Sequence, residues 1–218
     1  MKSYSFIILS LMLPGFLIAA PVTCVNDSSR QEKASQEIEQ LVRDDQADRD
    51  DWENRDDEQR EQVEGRDLQR RQRIGELFGE GCLKSSHDYL AAALIYQHGD
   101  VPDHYYQAYL WAKRAVDLGE AAAQSMVALT VDRYLVSINH KQLFASQMFI
   151  SDINTLCGCI EPVEESFPDE KRIQWSGFSL QDRYDWLQEF NEGKNCSASL
   201  LCNHDLLPTP EGTMPEIW

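Results

Sequence analysis

The feature that most constrains this chain is the stretch from His87 to Ser137, three helix-length blocks separated by turn chemistry. His98-Gly99-Asp100-Val101-Pro102 ends the first block, and Leu118-Gly119 ends the second. The first, Tyr89 to Gln97, is apolar nearly all round, so it is expected to be the most buried helix. In the second, Tyr105, Tyr109, Ala112 and Val116 recur at helical steps, with Lys113, Arg114 and Asp117 turned away. The third, Ala121 to Ser137, carries Ala122, Met126, Leu129 or Thr130, Arg133 and Ser137 along one stripe. The blocks predict an all-α fold class with a helical hairpin at its core.

The flanks fill in around that core. Asp67 to Phe78 has a helix pattern through Leu68, Ile74, Leu77 and Phe78, stopped by Gly79-Glu80-Gly81. Ser85 or Ser86 is expected to cap the next helix, and Asp103 the one after. Upstream, Ile38, Leu41 and Val42 begin an apolar stripe that continues onto Asp45, Asp48 or Arg49, and Trp52, which predicts a long charged N-terminal helix folded over the hairpin. Four acid-before-base pairs support helix there, Asp45/Arg49, Asp51/Arg55, Asp56/Arg60 and Asp67/Arg71. Asn54 to Glu64 is almost wholly polar and reads as a surface loop or an exposed helical turn. Leu143 to Ile150 reads as a short strand or extended segment, Asp169 to Ile173 as a helical turn, and Ser179 to Asn191 as a last amphipathic helix. Pro208 to Trp218 reads as a flexible tail.

Residues 1–20 have the form of a secretory signal, with Lys2, an apolar run from Phe6 to Ile18, and Ala19-Ala20. The run is too short and too interrupted by Pro14-Gly15 to span a membrane comfortably, so no stable membrane insertion is expected and the chain reads as secreted or periplasmic. Residues 21–192 then form a single helical domain, and residues 193–218 a Cys/Pro-rich tail. Six cysteines in an exported chain favour disulfides. Cys157-Gly158-Cys159 is too tight for an easy mutual bridge, so each reaches elsewhere, while Cys196 and Cys202 can close a local loop. Neither CxxC repeats nor histidines at metal-ligand spacing occur, so no metal or cofactor is expected. The net charge of -17 argues against nucleic acid as a partner and favours a basic protein, a cation or a small polar ligand.

Two resemblances follow from particular residues. Gly99 through Gly119, with Ala108, Trp111, Ala112 and Ala115 between, resembles a Sel-type tetratricopeptide-related repeat, which implies a helical hairpin of the protein-binding kind. Asp45-Gln46-Ala47-Asp48-Arg49, Gln97-His98-Gly99, Asp132-Arg133-Tyr134-Leu135 and Gln142-Leu143-Phe144-Ala145-Ser146-Gln147 resemble the landmarks of an uncharacterised bacterial domain family, over about Val42 to Phe190. Pro162-Val163-Glu164-Glu165 and Asp169-Glu170-Lys171-Arg172 extend the likeness. Where that family has Gly-Thr in its fourth landmark, this chain has Ala145-Ser146, a departure that matters if the backbone there must come close to a ligand.

These landmarks, with the inward stripes, single out Asp45, Asp48, Arg49, His98, Asp132, Arg133, Gln142 and Gln147 as polar residues aimed inward. One expectation is an ion-pair lattice clamping the N-terminal helix onto the hairpin, because buried charges must be paired. The other is a polar pocket. It would serve an exported binding module, or a hydrolase-type enzyme doing acid–base chemistry with Asp48, His98 and Arg133. No Ser or Cys nucleophile motif, HExxH or phosphate-binding glycine loop accompanies them.

Overall fold

The computed structural model describes residues 23–218 except 51, 153–154 and 197–198, so the expected signal segment lies outside the described residues. Seven α-helices and one two-stranded antiparallel sheet make up the described chain, which is all-α in class.

Helix α1 (Ser28–Ala47) starts where the Asp27 carboxylate accepts the Arg30 N–H at 3.0 Å, and buries Ala34, Ile38 and Asp45. A short 3-10 turn (Trp52–Asn54) leads to α2 (Asp57–Gly79), which opens on a reciprocal capping box between Asp56 and Gln59. Of the two expectations for Asn54 to Glu64, a surface loop or an exposed helical turn, the helical one is nearer: most of the segment is helix. Its capping box and the single buried Val63 hold a first half that has little other apolar surface to offer. The buried face of α2 is Val63, Asp67, Arg70, Arg71, Ile74 and Leu77, whereas Leu68 and Phe78 are about half exposed. A stripe at helical spacing is thus interrupted in its middle by an acid and two arginines. Gly81, at φ +71°, ends the helix in the left-handed region, and a Cys24–Cys82 disulfide ties the start of α1 to this turn.

Helices α3 (Ser86–Tyr96), α4 (Pro102–Asp117) and α5 (Ala123–Ser137) pack each against the next, and α1 lies across α3. Ser85 caps α3 through a box with Asp88. For α4 the start differs from expectation: Val101 holds the N-cap position and Pro102 the first turn, leaving Asp103 inside the helix. Proline's fixed φ starts a helix without any side-chain cap.

The chain after α5 is irregular. Strand β1 (Met148–Asp152) pairs antiparallel with β2 (Cys157–Ile160), and α6 (Asp169–Ser176) and α7 (Leu180–Asn191) follow. Cys157 bonds to Cys196 and Cys159 to Cys202, so the neighbouring cysteines do reach elsewhere, and the local Cys196–Cys202 loop does not form. The two bridges pin the last turn of chain to the sheet. Gly158 between them is closely packed: a Cβ there would meet Leu187 Cδ1 at 2.9 Å, and that side chain would have to shift. Residues 208–218, read from sequence as a flexible tail, are docked: Met214 and Ile217 are fully buried. Tyr109 Oη donates to the Pro215 carbonyl at 2.7 Å, and Lys171 Nζ to that of Ile217 at 2.8 Å. Burying each of those apolar side chains contributes about 1.5–3 kcal/mol, enough to hold a short segment without regular structure. No helix among the described residues is long and apolar enough to cross a membrane.

Candidate functional site

The eight polar positions divide into two clusters that meet at the C-terminal end of α3. The first is carried by the end of α1 and the middle of α2. Asp48 receives Arg66 Nε at 2.9 Å and Nη2 at 2.6 Å, and is also paired with Arg70. Arg49 Nη2 bonds Asp67 at 2.7 Å, and Arg70 Nη1 bonds the same carboxylate at 2.7 Å. Hydrogen bonding from Arg66, outweighing the cost of burial and joined by Arg70, holds the Asp48 carboxyl far below the usual carboxylate range. It is a fixed anion and cannot deliver a proton.

Asp45, with no exposed surface, faces His98 instead. His98 Nδ1 stands 3.0 Å from Asp45 Oδ1, Gln46 Nε2 donates to Oδ2 at 2.9 Å, and Arg49 Nη2 lies 3.4 Å away. Burial would raise the Asp45 pKa, but the His98 hydrogen bond and charge, with Arg49, outweigh it and leave the group lowered. An ionised carboxylate only accepts, so Nδ1 donates in this contact. Nε2 has no partner among the described residues.

The turn Gln97-His98-Gly99 that presents this imidazole is itself held by three donors. Arg133 Nη1 donates to the Gln97 carbonyl at 2.6 Å, Arg71 Nη1 to that of His98 at 2.8 Å, and Tyr105 Oη to that of Gly99 at 2.7 Å. These are orphan carbonyls at a helix C-terminus, where the dipole also favours cations. Arg70 reaches the end of α1 in a similar way, donating at 3.2 Å to the Asp44 carbonyl, which also accepts the Asp48 N–H. Adjacent residues on a helix diverge by about a hundred degrees, so Arg70 and Arg71 serve the ends of two different helices. Gly99 is required here by space, because a Cβ would stand 2.3 Å from the Cβ of His104.

The second cluster uses backbone rather than charge. Asp132, wholly buried, accepts the N–H groups of Leu143 (2.7 Å), Phe144 (3.0 Å) and Ser146 (2.9 Å). Burial pushes its pKa up to about 6 against the opposing pull of those three donors. Gln142 is saturated: its amide donates to the carbonyls of Gln147 (3.1 Å) and Glu161 (2.7 Å), and its oxygen accepts the Gln147 N–H at 2.8 Å. Arg133 Nε reaches Gln147 Oε1 at 3.3 Å, which makes Arg133 the link between this loop and the α3 turn. Burial lowers the Arg133 pKa, and no carboxylate pairs with it among the described residues.

Asp48 and His98 do not share a site. Asp48, Arg66 and Arg70 line a groove between α1 and α2, while His98 lines a separate cleft of about 200 Å³ with Glu64, Asp67, Arg71, Gly99 and Asp100. Arg71 is only 4 % exposed, and its buried Nε has no protein partner. Sequence reasoning missed Arg66, Arg70 and Arg71. The available signal was the spacing Val63, Asp67, Arg70, Ile74, Leu77, an inward stripe in which the charges replace apolar residues.

Compared with known proteins, the chain matches no family model, no curated protein and no solved structure.

Proposed function

We propose that this is an exported binding module that holds a small polar ligand in the cleft beside His98. The observation that carries the reading is the cleft of about 200 Å³ that His98 lines, with Arg71 in its wall, paired to the Asp100 carboxylate at 3.3 Å. His98 adds a ring nitrogen and Glu64 a carboxylate, beside Asp67 and Asp100, which are already paired with arginines, so the lining suits a small ligand that offers hydrogen-bond donors, such as a primary amide. None of the lining residues is a serine, threonine or cysteine, which favours holding over covalent chemistry. Three disulfides fit an oxidising compartment, in agreement with export.

The test is a titration of the full chain with acetamide and glycinamide, followed through the amide resonances of Gly99 and Asp100. Saturable shifts there, lost in Arg71→Met, are expected; an undisturbed cleft at saturating probe contradicts the reading.

One observation favours a second reading, acid–base catalysis. Buried Asp45 orients His98 at 3.0 Å and leaves Nε2 without a partner among the described residues. The pair is Asp45 with His98, since Asp48 is occupied by Arg66 and Arg70. Under this reading His98→Gln removes turnover of amide or ester substrates and leaves their binding within about twofold. Binding without turnover in the unmodified chain excludes it.

A further inference from the structure

Between α5 and the start of α7 lies a further pocket of about 170 Å³ whose walls include Ala128, Leu129, Phe144 and Phe178, with Arg183 in the lining. Its volume is close to the roughly 150 Å³ of an engineered apolar cavity that takes up benzene. Arg183 is the unusual member. Nε donates to the Ala145 carbonyl at 3.0 Å, and the guanidinium lies 5.7 Å from the Phe178 ring centre and 5.2 Å from that of Trp186. The two rings hold its plane in place. No carboxylate lies within ion-pair reach of it among the described residues. That is not for want of acids, because the chain has 37 against 20 bases. The neighbouring acids are otherwise engaged: Asp182 caps α7 through Ser179, Asp169 pairs with Arg172, and Asp132 is committed to backbone N–H groups. Burial depresses the Arg183 pKa, with the Asp132 charge acting only partly against it. Serine hydroxyls in the lining already bond within the chain, Ser125 to the Ala122 carbonyl at 3.2 Å and Ser176 to that of Arg172 at 2.8 Å.

We propose that this pocket is a second ligand site, independent of the His98 cleft, for a small monocarboxylate with a ring-sized apolar body. The apolar body fills the space between Leu129, Phe144 and Phe178, and the carboxylate meets the terminal nitrogens of Arg183. Recognition is by charge-assisted hydrogen bonding, so a neutral analogue of the same shape binds much more weakly.

The experiment is a titration of the full-length mature chain with benzoate and with benzamide, read by calorimetry and by the amide resonances of Ser146 and Phe178. Saturable benzoate binding is expected, with benzamide weaker by about tenfold or more. Arg183→Gln should remove the preference between the two probes. Ser125→Phe, on an exposed helical position at the pocket, should block both probes while leaving the helical spectrum unchanged. Equal affinity for the two probes, no saturable benzoate binding, or full benzoate affinity in Ser125→Phe overturns the proposal. Shifts confined to Gly99 and Asp100 would place benzoate in the other cleft and overturn it as well.

Discussion

The two polar clusters solve the same problem by opposite means. Around Asp48 and Asp67, carboxylates on α1 and α2 are neutralised by guanidiniums, each acid by more than one base. Around Asp132, a single carboxylate is satisfied by three backbone N–H groups of the loop it organises, with no base bonded to it. The first arrangement clamps two helices together; the second fixes the path of a segment with no regular structure. They teach that an inward-facing polar residue need not be a site. Most of this one is scaffold, and what stays open is the small part of it that meets the cleft at Arg71 and His98.

The comparison is sharpest when the backbone-satisfied acid is removed. Asp132→Ala leaves three N–H groups without acceptors, those of Leu143 and Phe144 buried and that of Ser146 partly so, and is expected to cost about 3–5 kcal/mol, measured by urea unfolding. A loss below about 1 kcal/mol would mean that the loop is held by something else.

Acid should separate the clusters by sign. Asp132 titrates at about 6 when folded against 3.8 ordinarily, so between those values the folded chain binds the proton first. Its contribution therefore rises as the pH falls from 7 towards 4.5, by on the order of 2–3 kcal/mol, and is lost as the pH rises again. Asp45 and Asp48 are lowered from 3.8, so their contribution is complete above that value and lost as the pH falls through their folded values. Unfolding free energies from pH 7 to 4.5 should rise in the parent chain and lose that rise in Asp132→Asn. A parallel fall in both proteins would contradict the assignment.

The smallest effect concerns Ala145, whose φ of +56° lies in the left-handed region although it carries a Cβ. Ala145→Gly removes a cost of about 1 kcal/mol and forfeits some buried methyl contact, so a gain of a few tenths to about 1 kcal/mol is expected by thermal unfolding. Destabilisation would show that the methyl group matters more than the backbone.

How much of this was legible beforehand follows from where apolar side chains carry the signal. The three central helices were, because their apolar blocks are cut by His98-Gly99-Asp100-Val101-Pro102 and Leu118-Gly119. The first half of α2 was not, because Val63 is its one buried apolar residue and its inward face then passes through Asp67, Arg70 and Arg71. The docking of Met214 and Ile217 was hidden by the prolines and glycine around them, which mark a loop but say nothing about what the loop covers. The disulfide partners depend on where the β1–β2 hairpin lies, which no spacing reveals. In the site, Asp45, Asp48, Arg49 and His98 could be picked out as polar residues on inward positions. Their division between a saturated groove and an open cleft could not, since it depends on which way Arg70 and Arg71 turn from adjacent places on one helix.

The central claim is that the charges at the α1–α2 seam are structural and that a ligand is met only at the cleft lined by His98 and Arg71. The most direct measurement is the unfolding free energy of Asp48→Asn at neutral pH. The account predicts a loss of about 2–3 kcal/mol, because Arg66 and Arg70 are left with excess charge in a half-buried seam. An unchanged or more stable protein would contradict it, and would mark Asp48 as a residue held under strain for function.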